Sequence, residues 1–148
     1  MKVSNDILIP ELARLLEEEK EVRFTPSGNS MRPFIEGGVD SVVLAPLHRA
    51  PHCGDIILAR ALAPNGQTIY VLHRLVRTER DENGEEAYIL MGDGNLDGEE
   101  VCSRADIIGR VVAIERPDGK HKWLSRGRLW YHLKPCRKWL LKIYRKCI

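Results

Sequence analysis

Apolar residues change their spacing twice along this chain, and each change marks a new kind of element. Ile7, Leu8, Leu12, Leu15 and Leu16 recur three or four apart, one face of an amphipathic helix. Asp6 is placed to cap that helix, and Pro10 fits it only near the first turn. From Val22-Arg23-Phe24-Thr25 the period falls to two. Short β-branched runs follow at Ser41-Val42-Val43-Leu44, Asp55-Ile56-Ile57-Leu58-Ala59, Ile69-Tyr70-Val71-Leu72, Ala87-Tyr88-Ile89-Leu90 and residues 107–114. Gly-, Pro- and Asn-rich turns separate them, and Asp81-Glu82-Asn83-Gly84 has the chemistry of a hairpin tip. Many short strands at this spacing predict a mainly β (α+β) fold, a folded-over sheet or open barrel behind an N-terminal helix.

The last segment returns to helical spacing. After Pro135, acceptable in a first turn, Cys136, Trp139, Leu140, Ile143 and Cys147 lie three or four apart. Trp123, Leu129, Trp130, Tyr131, Leu133 and Tyr144 are interleaved with Lys and Arg around it. The chain therefore divides into an N-terminal helix (1–21), a β core (22–119) and a basic amphipathic C-terminal segment (120–148).

Charge sharpens that division. The formal net charge is +2, yet residues 120–148 hold ten Lys/Arg and no Asp/Glu, leaving 13 basic and 21 acidic side chains in residues 1–119. An acidic body with a basic tail predicts that the tail meets an anionic surface: a membrane, a nucleic acid, or the body itself. Aromatic residues among Lys and Arg suit an interfacial helix on anionic lipid. They equally suit a terminal helix that packs its Trp/Leu face on the core. Base stacking is the weaker alternative, because no nucleic-acid motif accompanies them.

Other features narrow the class. The 148 residues suit one globular domain. No apolar run approaches the ~20 residues that span a bilayer. The N-terminus turns acidic too early for a secretory signal. The expected location is cytoplasmic or peripheral at a membrane. Cys53, Cys102, Cys136 and Cys147 form no CxxC pair, so reduced thiols are expected. His52-Cys53 and the pair His132 and Cys136 are two-ligand fragments; His48 and His121 carry no constellation, and neither a metal nor a cofactor is expected.

Four short motifs carry the candidate chemistry. A serine hydroxyl needs a neighbouring base and backbone N–H groups near the developing oxyanion. Ser30 lies in Ser27-Gly28-Asn29-Ser30-Met31-Arg32-Pro33, where a Gly-Asn turn lets the backbone approach a substrate and Met31 can bury beneath. The same residues also make an ordinary β-turn. His73 follows the strand Ile69-Tyr70-Val71-Leu72, and an imidazole is a side chain suited to act as a base near neutrality; a structural histidine at a sheet rim is the plain alternative. Asp93, between Gly92 and Gly94, is a candidate to orient the imidazole, against an Asx-turn. Asp97 competes for that role, and Asp55 reads as a turn residue.

Taken in order, Gly28-Asn29-Ser30-Met31-Arg32-Pro33, Gly54-Asp55-Ile56-Ile57, His73-Arg74-Leu75-Val76 and Gly92-Asp93-Gly94-Asn95 resemble the conserved boxes of the signal peptidase I family, within the group that includes the LexA-type self-cleaving peptidases. The match runs from about Phe24 to Val112. It implies the folded β-sheet core of that group, with Ser30 as nucleophile. The usual bacterial box has Lys-Arg where this chain has His73-Arg74, so the resemblance implies the branch with a histidine base. There an acidic residue in or just after the Gly-Asp box is implicated, which maps onto Asp93 or Asp97. The Ser30 N–H and a turn donor would form the oxyanion hole, with Gly28, Asn29, Ser30 and Met31 along the bound substrate.

The chain departs from that family in having no transmembrane segment, and from LexA-type repressors in having only about 20 residues before the core, too few for a helix-turn-helix domain. The function implied is a serine endopeptidase of signal peptidase type acting on a peptide or protein through a Ser-His(-Asp) mechanism, with small residues before the scissile bond. The alternatives are a non-catalytic peptide-binding module on the same fold, or a LexA-type regulatory peptidase acting in trans.

Overall fold

Runs of β-branched residues too short for helices pair into one curved sheet, and the helical segments lie at its two ends in sequence. A computed structural model describes residues 5–122, 124 and 133–146. Trp123, Leu129, Trp130, Tyr131, His132 and Cys147 lie outside the described residues, as do the side chains of Asp6, Ile7 and Pro135. The elements are α1 (Asn5–Glu17), β1 (Val22–Phe24), β2 (Ser41–Ala45), β3 (Ile56–Leu62), β4 (Thr68–Arg80), β5 (Glu86–Met91), β6 (Glu100–Ser103), β7 (Ile107–Glu115), β8 (His121–Lys122) and α2 (Lys134–Lys146). The fold is mainly β, as the short apolar runs predict.

The sheet order is β1-β2-β7-β3-β4-β5-β6, with β8 on β7. Every pairing is antiparallel. One further bridge, Leu62 to Val101, joins β3 to β6. It closes β3, β4, β5 and β6 into a small barrel. Ile57, Ala59, Ala61, Val71, Leu75, Tyr88, Leu90 and Cys102 form one buried cluster from these four strands. The small Ala59 and Ala61 leave room for the large residues opposite. A second core lies under α1, where Ile9, Leu12 and Leu16 pack on Val22, Val42, Leu44, Ile56, Leu58, Val111 and Ile114. β3 serves both cores, which is why Ile56-Ile57-Leu58-Ala59 is an unbroken apolar run rather than an alternating one.

Three differences from the sequence reading have physical causes. α1 runs through Pro10, past its first turn, and Pro10 sits on the exposed side, where its ring meets no core residue. β4 continues far beyond Leu72, so His73 and Arg74 lie inside a strand rather than after it. Polar residues persist there because each finds a buried acceptor. β6 and β8 were not expected as strands; both are short, and neither carries the β-branched run that marks the others. The hairpin tip is as predicted: the Asp81 N–H donates to Glu85 O, and Asp81 Oδ1 accepts from the N–H groups of Asn83 and Glu85.

Cys53, Cys102 and Cys136 carry free thiols. Cys102 faces the barrel interior, where burial pushes its pKa up to about 11. Alkylation needs the thiolate. At pH 8, iodoacetamide on the folded chain should therefore modify Cys53 and Cys136, both exposed, and spare Cys102 until urea opens the barrel. Peptide mapping by mass spectrometry reads this. Equal labelling of Cys102 with and without urea would contradict the closed barrel.

Candidate active site

The strand period of two decides which side chains of β4 meet. Val71, His73 and Leu75 share one parity and Arg74 has the other, so adjacent residues leave the strand on opposite faces. His73 is 6% exposed and opposes Ile57 across the ladder. On β6 the interior parity is Glu100 and Cys102, both buried, while Val101 and Ser103 are exposed. Glu100, 7% exposed, opposes Leu90. The barrel thus brings His73 and Glu100 to the same interior end.

His73 Nδ1 is 2.9 Å from Glu100 Oε2, and His73 Nε2 is 3.0 Å from Ser30 Oγ. A carboxylate only accepts hydrogen bonds, so beside an ionised Glu100 the proton of a neutral imidazole sits on Nδ1. Nε2 is then left to accept the Ser30 hydroxyl proton. This is the geometry of a nucleophile, base and orienting acid.

Arg74 uses the other face. It is 2% exposed, and its Nε and Nη2 donate to Asp93 Oδ1 and Oδ2 at 2.8 and 2.6 Å. Its Nη1 donates to Gly54 O at 2.7 Å, and the guanidinium lies 5.4 Å from the centre of the Phe34 ring. Arg74 therefore ties together the Gly54 turn, the Asp93 turn and the loop after Ser30. The boxes read separately along the chain meet around this one side chain.

The third role expected of Asp93 or Asp97 needs correction. Both ring nitrogens of His73 are engaged, and the orienting position is held by Glu100. Asp93 instead gives both carboxylate oxygens to Arg74. The Asp97 side chain is 87% exposed and lies 3.6 Å from Lys138 Nζ. Of the clustered acids after Asp93, Glu99 points the other way and pairs with Arg77 at 2.7 Å. Only a strand assignment over 100–103 separates Glu100 from its neighbours, and its one sequence signal is shared parity with apolar Cys102.

The Ser30 loop is held from two sides. The Gly94 N–H donates to Ser30 O at 2.8 Å. A Cβ on Gly92 would stand 2.5 Å from Ser30 O and 3.1 Å from His73 Nε2, so only glycine lets this turn pass so close. On the far side, Lys122 of β8 donates to Phe34 O and to the buried Asp40, which also accepts the Glu36 N–H. Met31 is buried under the loop, as anticipated, and its sulfur receives the Asp93 N–H at 3.5 Å. A cleft of about 150 Å³ opens beside Ser30, lined by Gly28, Met31, Phe24, Tyr70, Leu72 and His73 among others. Asn29 does not line it; its carbonyl accepts the Arg32 N–H inside the turn.

Among the described residues, no group of three or more His, Cys, Asp or Glu is placed to hold a metal ion, and no helix is long and apolar enough to cross a membrane. Comparison with protein-family models, with curated proteins and with solved structures finds no match.

Breaking a buried ion pair by removing one partner strands the other charge and costs about 3–5 kcal/mol. Asp93→Ala should lose stability on that scale in urea unfolding. Asp97→Ala, at a solvated position, should change it by less than about 0.5 kcal/mol. Similar losses in both would contradict the structural role given to Asp93.

Proposed function

We propose that this chain is a serine endopeptidase of signal peptidase type, working through Ser30, His73 and Glu100. The observation that carries the reading is His73 bridging the Ser30 hydroxyl and the Glu100 carboxylate at 3.0 and 2.9 Å. The order of the four motifs supports it, and so does their convergence around Arg74.

Ser30 Oγ attacks the scissile carbonyl while His73 Nε2 takes its proton. Glu100 holds the imidazole in place and stabilises its charged form. The negative charge formed on the carbonyl oxygen is met by the Ser30 N–H, which has no acceptor among the described residues. His73 then gives the proton to the leaving amine, and an acyl-enzyme remains on Ser30. Water, deprotonated by His73, attacks that ester and releases the acid; the proton returns to Ser30. The cleft beside Ser30, about 150 Å³, has room for a substrate side chain next to the cut. Phe24 and Tyr70, on β1 and β4, line it and suit an extended peptide lying between them.

The test is cleavage of a mixed peptide library by the wild type and by single variants, read by mass spectrometry. Ser30→Ala and His73→Ala should abolish cleavage. Glu100→Gln, which removes the charge but keeps the shape, should lower the rate by up to ~10⁴-fold. Asp97→Asn should cleave as the wild type does. Cleavage that survives Ser30→Ala would sink the assignment. No cleavage by any form, with peptide still bound, would favour a non-catalytic peptide-binding module.

A further inference from the structure

α2 turns its apolar stripe outward. Leu133, Cys136, Trp139, Leu140 and Ile143 fall within about a third of the helical circumference at 100° per residue. Trp139 is 65% exposed, Ile143 41% and Leu133 37%, and Cys136 is exposed as well. Leu141, on the opposite side, is 1% exposed. The packing expected of a plain terminal helix is thus reversed. Leu141 holds the helix, and the tryptophan, which would gain most from burial, faces solvent.

Charge accompanies that stripe. Lys142 and Lys146 are exposed and border the stripe on its Trp139 side, while Lys138, exposed as well, lies further round the helix. Residues 134–146 contain six Lys/Arg and no Asp/Glu. A tryptophan and an isoleucine one turn apart, bordered by a lysine row, fit a surface that is apolar just below a layer of anions. A nucleic acid would meet Ile143 with a sugar–phosphate edge and gain little from it. A second copy would bring two lysine rows together.

We propose that α2 is a docking helix for an anionic lipid bilayer. Trp139 and Ile143 enter the boundary between headgroups and acyl chains, and Lys142 and Lys146 lie against lipid phosphates. Lys138 is 3.6 Å from Asp97, in the loop whose Gly94 N–H bonds Ser30 O. The helix that meets lipid by its stripe therefore meets this loop by another face. The proposal does not depend on Ser30 being a nucleophile.

The experiment is co-sedimentation of the full chain with sucrose-loaded vesicles of phosphatidylcholine, with or without one-third phosphatidylglycerol, at low and high salt. Binding should require phosphatidylglycerol and fall with salt. At about fivefold per lysine, the double change Lys142→Gln, Lys146→Gln should weaken it roughly 25-fold. Trp139→Ala with Ile143→Ala should remove most of the binding, and Ser30→Ala should bind as the wild type does. All these positions except Ser30 are solvent-facing, so thermal unfolding should stay near that of the wild type. Equal binding to both lipid compositions, or undiminished binding by both α2 variants, would overturn the proposal. So would failure to bind vesicles alongside tight binding to an oligonucleotide.

Discussion

Two bases stand side by side on a buried stretch of β4, and each must find a carboxylate inside the protein. The strand sends His73 to one face and Arg74 to the other. His73 meets Glu100 across the small barrel, and Arg74 meets Asp93 behind the Ser30 loop. Neither acid can serve the other base without turning the strand over. Much of the local architecture follows from that division. Barrel closure puts β6 where Glu100 can reach the imidazole, while the Arg74 pair fastens three turns into one wall beside Ser30.

The two pairs also differ in what they can do. Arg74 is satisfied by Asp93 and Gly54 O, so its pair is a clamp. His73 has its second nitrogen on a serine hydroxyl, so its pair is placed to move a proton. Glycine at position 92 is the counterpart of this arrangement on the backbone, since a side chain there would enter the space of Ser30 O and His73 Nε2.

Much of this was legible in the sequence. The β-branched runs gave the positions of most strands, and the 3.6-residue spacing gave both helices. Ser30, His73 and the buried Met31 follow from the motifs around them, and the structure places all three together. What escaped was decided by distant pairing. β6 is four residues with an acid at its start, and only parity with Cys102 hints that Glu100 faces inward. Asp93 and Asp97 lie nearer the motif in sequence, yet Arg74 and solvent hold them. The outward stripe of α2 was equally hidden. Spacing shows that Trp139 and Ile143 share a face, but only the burial of Leu141 says which face looks inward.

The central claim is that Ser30 is an activated nucleophile with Glu100, rather than a neighbouring aspartate, behind its base. The most direct measurement is the rate of phosphonylation by a fluorophosphonate probe, followed by intact mass and peptide mapping. The account predicts one adduct, on Ser30, with labelling lost in His73→Ala, strongly slowed in Glu100→Gln and unchanged in Asp97→Asn. No adduct on the wild type, an adduct on another residue, or Glu100→Gln labelling at the wild-type rate would contradict it.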